Sequence, residues 1–441
     1  MKRILILFVC LVWASYLLAQ PPTLRLEDAL AKSLSQNVGL QIQQLETTSR
    51  QNDVFKANAG RTLTLDIIGN AFYANNFADV RLRTFQPVPP EFITVSEVGV
   101  ENLQADIGLR ASHLLYDAGK SKYRFLLLEN LSALEKAKQQ TLINATLLQT
   151  ALLYLEVLKL ENQLDFLEEN IATSQQRIQK MEDQLRFGKA VRLDVLLLKN
   201  ALNEDEAQRD ALQLAQNNLR ADLNNLMGED LSQAFILEMP LSSVAVPALE
   251  ALITDIEARN PSLKLQKSDS NIAQQQLRLS QLENAPTVSA YAQAGYLYQK
   301  NDVQQLARLQ SLGLTVGLNV FYNLRDGGVW KNRRQNAQIQ TEIKRFESRQ
   351  LMDELGKEAL QTRNKMLVLQ SQLLREQANQ QAYDEAYQKT QDLFLAGKTN
   401  HLALREAQLA RLNNILRTED VRIDTLKAYF QLLHLSGNLT E

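Results

Sequence analysis

Between Gly119 and Phe187 the chain has no Pro and no internal Gly, and Leu160, Leu164, Leu167, Ile171, Ser174, Ile178, Met181 and Leu185 alternate four and three residues apart. That spacing is the seam of a coiled coil and requires one long, unbroken helix. At about 1.5 Å per residue the helix is a rod of roughly 100 Å, several times the width of a compact domain. The seam stops at Phe187-Gly188-Lys189, and a second one runs on through Val195, Leu198, Leu202, Leu212, Leu219, Leu223 and Leu226. Glycine supplies the left-handed backbone that ends a helix. The two stretches therefore predict an antiparallel helical hairpin with its tip at Gly188.

The hairpin occurs twice. Asp117-Ala118-Gly119 opens the first rod and Asp326-Gly327-Gly328 opens another, 209 residues later. Phe187-Gly188-Lys189 ends the first, and Ala396-Gly397-Lys398 ends the second at the same offset. The second rod carries Leu355, Ala359, Thr362, Met366, Leu369, Leu373, Tyr383, Tyr387 and Phe394 on its seam. Its return arm carries Leu402, Leu409, Leu412, Leu416, Ile423, Leu426, Phe430 and Leu433. The chain reads as a tandem duplication, with a first repeat over 20–239 and a second over 240–441.

Ahead of each rod the pattern changes. Leu24 to Lys56 and Leu249 to Glu283 read as helices. After them come segments with two-residue alternation, at about 62–73 and 103–113 in the first repeat and about 287–299 and 311–322 in the second. Leu63, Leu65, Ile67, Ala71 and Tyr73 share one face, against Thr62, Thr64, Asp66 and Asn70, with Ile68 and Phe72 as exceptions. Leu312, Leu314, Val316, Leu318 and Val320 stand opposite Ser311, Gly313, Thr315, Gly317 and Asn319. Ala74 to Asn102, with Pro87, Pro89 and Pro90, reads as a long exposed loop. Each segment is about as long as the roughly 9–11 residues a strand needs to cross a bilayer. Four strands cannot close a barrel, since even small ones need about eight. Unpaired strand edges in lipid are prohibitively costly, so several copies must share one barrel. Periodicity leaves two, three and four copies open.

Residues 1–19 read as a secretory signal, with Lys2-Arg3, an apolar run from Ile4 to Leu18 and small Ala19. The only cysteine, Cys10, lies inside it, which leaves no thiol afterwards for a disulfide, metal or lipid. No later stretch reads as long and apolar enough for a transmembrane helix. The formal net charge of −2 over 441 residues argues against a nucleic-acid partner. His113, His401 and His434 are far apart, and no phosphate-binding glycine loop, HExxH or cysteine pair is present. No cofactor, metal site or enzymatic activity is expected.

The order of signal, helix, strand pair, long helix, Gly tip and return helix, all then repeated, resembles the TolC-like outer membrane efflux protein family. The residues that carry the resemblance are Leu115-Tyr116-Asp117-Ala118-Gly119-Lys120 and Phe321-Tyr322-Asn323-Leu324-Arg325-Asp326-Gly327-Gly328 at the strand-to-helix joins. At the tips they are Leu185 to Leu196 around Gly188 and Leu393 to Leu402 around Gly397. The resemblance implies a homotrimer in the outer membrane of a Gram-negative bacterium, with a twelve-stranded barrel in lipid and a helical tunnel in the periplasm. It further implies a passive exit duct, joined through a periplasmic adaptor at the Gly tips to an inner-membrane pump of an efflux or type I secretion system. The docking residues would be Phe187, Gly188, Lys189, Ala190, Ala396, Gly397, Lys398 and Thr399. Asp194, six residues after the first Gly, matches an acid common in the family, whereas the second tip has Ala403 there and its nearest acid is Glu406. Asp194 and Glu406 would form acidic rings at the tunnel's constriction, with Arg192 as a latch. A narrow acidic ring favours cations. The polar seam positions Glu376, Gln380, Thr390, Asp205 and Arg209 predict that the arms loosen toward the tips. The alternative to a channel is a secreted or periplasmic coiled-coil scaffold or adaptor, which explains the heptads and leaves the alternating segments unexplained.

Overall fold

A computed structural model describes residues 22–83, 92–188, 191–240, 244–301 and 307–439. The signal segment, the three prolines of the expected loop, Lys189 and Ala190 lie outside the described residues. In chain order the elements are β1 (Thr23–Leu24), α1 (Leu26–Gln36), α2 (Val38–Asn52), β2 (Thr64–Arg83), β3 (Phe92–Tyr116), α3 (Lys120–Arg186) and α4 (Arg192–Met227). The second half supplies β4 (Ile236–Leu237), α5 (Leu249–Arg259), α6 (Pro261–Leu282), β5 (Thr287–Asn301), β6 (Arg308–Phe321), α7 (Val329–Leu395) and α8 (His401–Ser436). Both α3 and α7 are 67 residues long, and both α4 and α8 are 36. The chain forms two compact units, and each takes segments from both repeats.

One unit, Thr48–Leu134 with Ser268–Arg345, contains a four-stranded antiparallel sheet in the order β2-β3-β5-β6. Its register aligns Ile67, Leu109, Ala294 and Leu314 on one face, and Asp66, Arg110, Gln293 and Thr315 on the other. Leu65, Ile67, Leu314 and Val316 are each at least 70% exposed in the single chain. The apolar face therefore has no core of its own to cover. Ile68, an exception to the alternation, falls in a row with Gly108, Gly295 and Gly313. At Gly108 and Gly295 any Cβ would meet backbone of the facing strand at 2.7 and 2.9 Å. The lone Ile thus sits where its neighbours have no side chain.

The first strand pair is longer than the sequence suggests. β2 and β3 pair as far as Arg83 and Phe92, so the described part of the expected 74–102 loop is strand. The prolines made the whole segment read as loop, although they fall only between the two strand ends.

Each strand-to-helix join uses one aspartate. Asp117 accepts from the N–H groups of Gly119 and Ser121 at 2.9 and 2.5 Å, and Asp326 from those of Gly328 and Trp330 at 2.9 and 2.6 Å. A carboxylate on the first free N–H groups of a helix satisfies them and suits the helix dipole. The turn needs left-handed backbone at Gly327 and Gly328, and at Ala118 and Gly119 in the first copy. Ala118 has φ 57°, which an L side chain disfavours.

The other unit, Met1–Thr47 with Glu135–Lys267 and Phe346–Glu441, is almost wholly helical. The helices expected at 24–56 and 249–283 are each broken in two. Asn37 caps α2 by accepting from Leu40 N–H at 3.1 Å, and Asn260 caps α6 by accepting from Ser262 and Leu263 N–H. Each asparagine also donates to a carbonyl at the end of a return helix, Leu226 O at 3.1 Å and Leu435 O at 2.8 Å. Two helices and a cap thus meet at the same joint in both repeats. Gly228 and Gly437 end the return helices beside it, at φ 69° and 76°, with the carbonyls of Gln36 and Arg259 where a Cβ would be.

The largest core gathers Leu24, Ala151, Tyr154, Leu155, Leu158, Leu223, Met227, Phe235, Ile423 and Phe430. Tyr154 is fully buried, with its hydroxyl 2.8 Å from Leu24 O and 2.7 Å from Glu238 O, and it accepts from Glu238 N–H at 3.0 Å. It clamps the parallel pair β1–β4 to α3. Around this core α3 is apolar on many sides, and an 18-residue stretch of it reaches a mean hydropathy of 1.4, half of it buried. The expectation that no helix is long and apolar enough to cross a membrane is corrected by α3. Its apolar residues face helices and strands, which is what a core helix requires.

Replacing Tyr154 by Phe strands the Leu24 and Glu238 carbonyls and is expected to cost about 1–3 kcal/mol in denaturant unfolding. Burial, the largest cause, pushes the Tyr154 hydroxyl up to about 12. Its neutral form is favoured in the fold, so this contribution is full below pH 10 and declines as pH rises from 10 toward 12. The Tyr154→Phe variant should lack that alkaline decline. Ala118→Gly is expected to stabilise the first join by about 1 kcal/mol in the same measurement.

Candidate gate at the hairpin tips

Gly188 and Gly397 both end a 67-residue helix with φ 69° and open space around them, so each supplies the turn of its tip. Phe187 is 79% exposed, and Ala396 and Lys398 are exposed with Thr399 half-buried. The tips start their return helices differently. Asn400 caps α8 by accepting from Ala403 N–H at 2.9 Å, whereas Val191 offers α4 no side-chain cap. Behind the first tip Ile178, Met181, Val195 and Leu198 form a small core with Phe394 of the second hairpin against it. Asp194 lies half-buried in the first turn of α4, Arg192 is exposed, and Glu406 is exposed on α8.

The structure brings together a different set. Arg405, the neighbour of Glu406, holds the Asp205 carboxylate with one nitrogen at 2.9 and 2.8 Å from its two oxygens. Both side chains are nearly buried, 13% and 12% exposed. Asn170 of α3 donates to the same carboxylate at 2.9 Å and accepts from Gln408 at 2.8 Å and Arg405 at 3.3 Å. Arg405 also donates to Ser174 at 3.2 Å, and Gln408 accepts from Arg177 at 2.5 Å. Three helices, α3, α4 and α8, are thereby joined across the two hairpins by one polar network. Burial is the main cause that lowers the Arg177 guanidinium; the nearby Tyr387 offsets it and the Arg405 charge adds to it.

Sequence reasoning placed Asp205 among polar seam residues that only weaken the coil. It is instead the buried centre of this network, and Glu376 likewise accepts from Asn414 at 2.9 Å. Asn170, Arg405 and Gln408 were missed because each looks like an ordinary surface residue in its own heptad. Beside the network, Leu212, Leu409, Leu412 and Leu416 line a cleft of ≈ 470 Å³ together with Asn170 and Asp205. Among the described residues no group of three His, Cys, Asp or Glu side chains could hold a metal ion.

Removing one partner of a buried pair leaves an uncompensated charge, so Arg405→Ala is expected to destabilise the hairpins by about 3–5 kcal/mol. The combined Asp205→Leu, Arg405→Met variant should recover most of that loss. Hydrogen exchange of the amides around Asn170 and Asp205 would report both.

No curated protein sequence matches the chain significantly. Residues 252–438 match the family described as outer membrane efflux protein. Among solved structures, the outer membrane protein VceC of Vibrio cholerae has 15% identity and a TM-score of 0.73 over 93% of this chain and 96% of its own. The CmeC outer membrane channel of Campylobacter jejuni has 13% identity and a TM-score of 0.78 over 94% and 85%. The open state of the MtrE outer membrane channel of Neisseria gonorrhoeae has 12% identity and a TM-score of 0.70 over 94% and 89%. The second repeat thus matches the outer membrane efflux protein family, and nearly the whole chain shares the fold of these outer membrane channels.

Proposed function

We propose that the protein is a passive exit duct of a Gram-negative outer membrane, built as a homotrimer and fed by an inner-membrane pump through a periplasmic adaptor. The observation that carries this reading is the four-stranded sheet, apolar on one face and ending in two edge strands, β2 and β6. Lipid on that face is compatible only with a closed ring of strands, because an open edge in hydrocarbon costs several kcal/mol per unpaired group. Three copies bring twelve strands, enough for closure. The helical unit supports repeated copies as well. Leu360, Leu367 and Leu374 recur every seven residues on α7 and are exposed, as are Val38, Ile42 and Leu45 on α2. Both stripes have the spacing of a coiled-coil seam.

In this reading the Gly tips, with Phe187, Lys189, Ala190, Ala396, Lys398 and Thr399, receive the adaptor. Asp194 and Glu406 form threefold acidic rings at the constriction and Arg192 helps to hold it shut. The Asn170–Asp205–Arg405 network fixes how one hairpin lies on the other close behind the tips. The pump sets what is transported, whether small molecules or polypeptides. A coiled-coil scaffold would leave the exposed apolar sheet face without a purpose.

Detergent-purified protein should have the mass of three chains; a monomer in detergent and recovery in the soluble fraction would overturn the reading. An Arg at Val316 is expected to destabilise the assembly by about 2–4 kcal/mol near the bilayer midplane. The Asp194→Ala, Glu406→Ala variant should lose cation preference in planar bilayers, and unchanged ion selectivity would remove these two acids from the gate.

A further inference from the structure

The two strand-to-helix joins differ in length. β3 ends at Tyr116, directly before its capping Asp117, whereas Tyr322, Asn323, Leu324 and Arg325 stand between the end of β6 and Asp326. These residues form a small projection. The Asn323 side chain accepts from Arg325 N–H at 3.2 Å, a turn that leaves Leu324 at its apex, 83% exposed. Tyr322 beside it is exposed as well.

The projection continues the sheet's apolar face. Along β6 that face reads Leu312, Leu314, Val316, Leu318 and Val320, and Tyr322 holds the next position of the alternation. Tyr116, Val288 and Val320 form its last paired row. Tyr298, ten residues from Val288 along β5, stands on the same face at the other end. Ten residues of strand span roughly 33 Å, or about 25 Å across a bilayer at a tilt of 35–45°, which is the height of the lipid-facing band of a barrel. Tyrosines at both ends fit the two membrane–water boundaries. Tyr322 and Leu324 lie at one of these boundaries.

Charge follows at once. Arg325, Lys331 and Arg334 are exposed and have no acidic partner among the described residues, while Arg333 pairs with Glu283. Lys331 and Arg334 are three apart on one face of α7, within about 8 Å of its start. Like charges so placed repel each other, and a bound anion offsets that. The chain as a whole is slightly acidic, at −2, so this local excess of cations is not a bulk property. The headgroup layer outside the hydrocarbon is roughly 5–8 Å deep, the same scale as the rise from Leu324 to these cations.

We infer that Tyr322–Arg325 and the first turns of α7 are a foot that rests on the inner leaflet of the outer membrane and binds the phosphates of anionic phospholipid headgroups. The inference rests on the duct reading, which places this end of the sheet on the periplasmic side. Tyr322 and Leu324 put their apolar bodies into the boundary, and the three cations hold the headgroups around them. The first join, which passes straight from strand to cap, has no such projection.

Trimer reconstituted in nanodiscs of phosphatidylcholine, with or without phosphatidylglycerol, tests the charge. Phosphatidylglycerol should raise the melting temperature of the unaltered trimer, and the gain should shrink at high salt. The Arg325→Gln, Lys331→Gln, Arg334→Gln variant, still trimeric by detergent mass, should melt at the same temperature in both discs. Position is tested with a fluorophore on Leu324→Cys, since Cys10 in the signal segment is the sequence's only cysteine. Headgroup-spin-labelled lipid should quench it and iodide should not, and a label on the exposed Gln350→Cys, further along α7, should show the reverse. No gain from phosphatidylglycerol, or an equal gain in the variant, would overturn the foot. So would a Leu324→Cys label that iodide quenches, or one that a neighbouring copy shields from both quenchers. A trimeric mass alongside any of these failures leaves the duct standing, and a mass that is not trimeric would remove the duct reading and the foot together.

Discussion

An apolar sheet face with no core of its own, bounded by two edge strands whose backbone groups need partners, is the constraint on which the proposed assembly depends. The sheet presents Leu65, Ile67, Leu314 and Val316 outward with nothing of the chain over them, and it ends in two edge strands. In water that face would aggregate, and in lipid those edges would be left unsatisfied. The proposed ring shared between copies would answer both demands. Small details of the sheet then make sense, including the glycine row that lets β3 and β5 approach closely and the aspartates that turn each strand straight into a helix.

The helical unit solves a different problem twice. A return helix must end, and a short helix pair must bend beside it, without stranding carbonyls. Asn37 with Gly228 does this in one repeat and Asn260 with Gly437 in the other, using the same atoms in the same roles. The second copy adds Pro261 at the first helical position, where a missing N–H costs nothing. The duplication thus persists at the level of individual caps, even where the surrounding residues have diverged.

What was legible in the sequence was whatever repeats with a fixed period. Leu160, Leu164, Leu167, Ile171, Ser174, Ile178 and Met181 are all buried, as a heptad seam requires, and the two-residue alternation assigned the sheet faces correctly. Features that break a period were read wrongly. The β2–β3 arm looked like loop because its bulge reverses the alternation and its prolines lie nearby. The breaks at Asn37 and Asn260 were hidden because a cap inside an apolar helical pattern changes only one residue. The Asp205 network was invisible for another reason. Its partners lie 35 residues away on α3 and 200 away on α8, and only the packed hairpins bring them within 3 Å.

That network also changes how a loosening coil should be understood. A buried ion pair adds little net stability, because desolvation consumes most of its attraction, but it is intolerant of being half-broken. Arg405 reaches Asp205, Asn170 and Ser174 together, so sliding α8 along α3 by a fraction of a turn would strand several buried groups at once. The hairpins can hold this arrangement or move far enough to solvate the groups, with little in between. The adjoining ≈ 470 Å³ cleft removes apolar contacts that would otherwise add to the closed arrangement. Specific polar contacts beside a loosely filled cleft are what the proposed gate would require of the residues behind the tips.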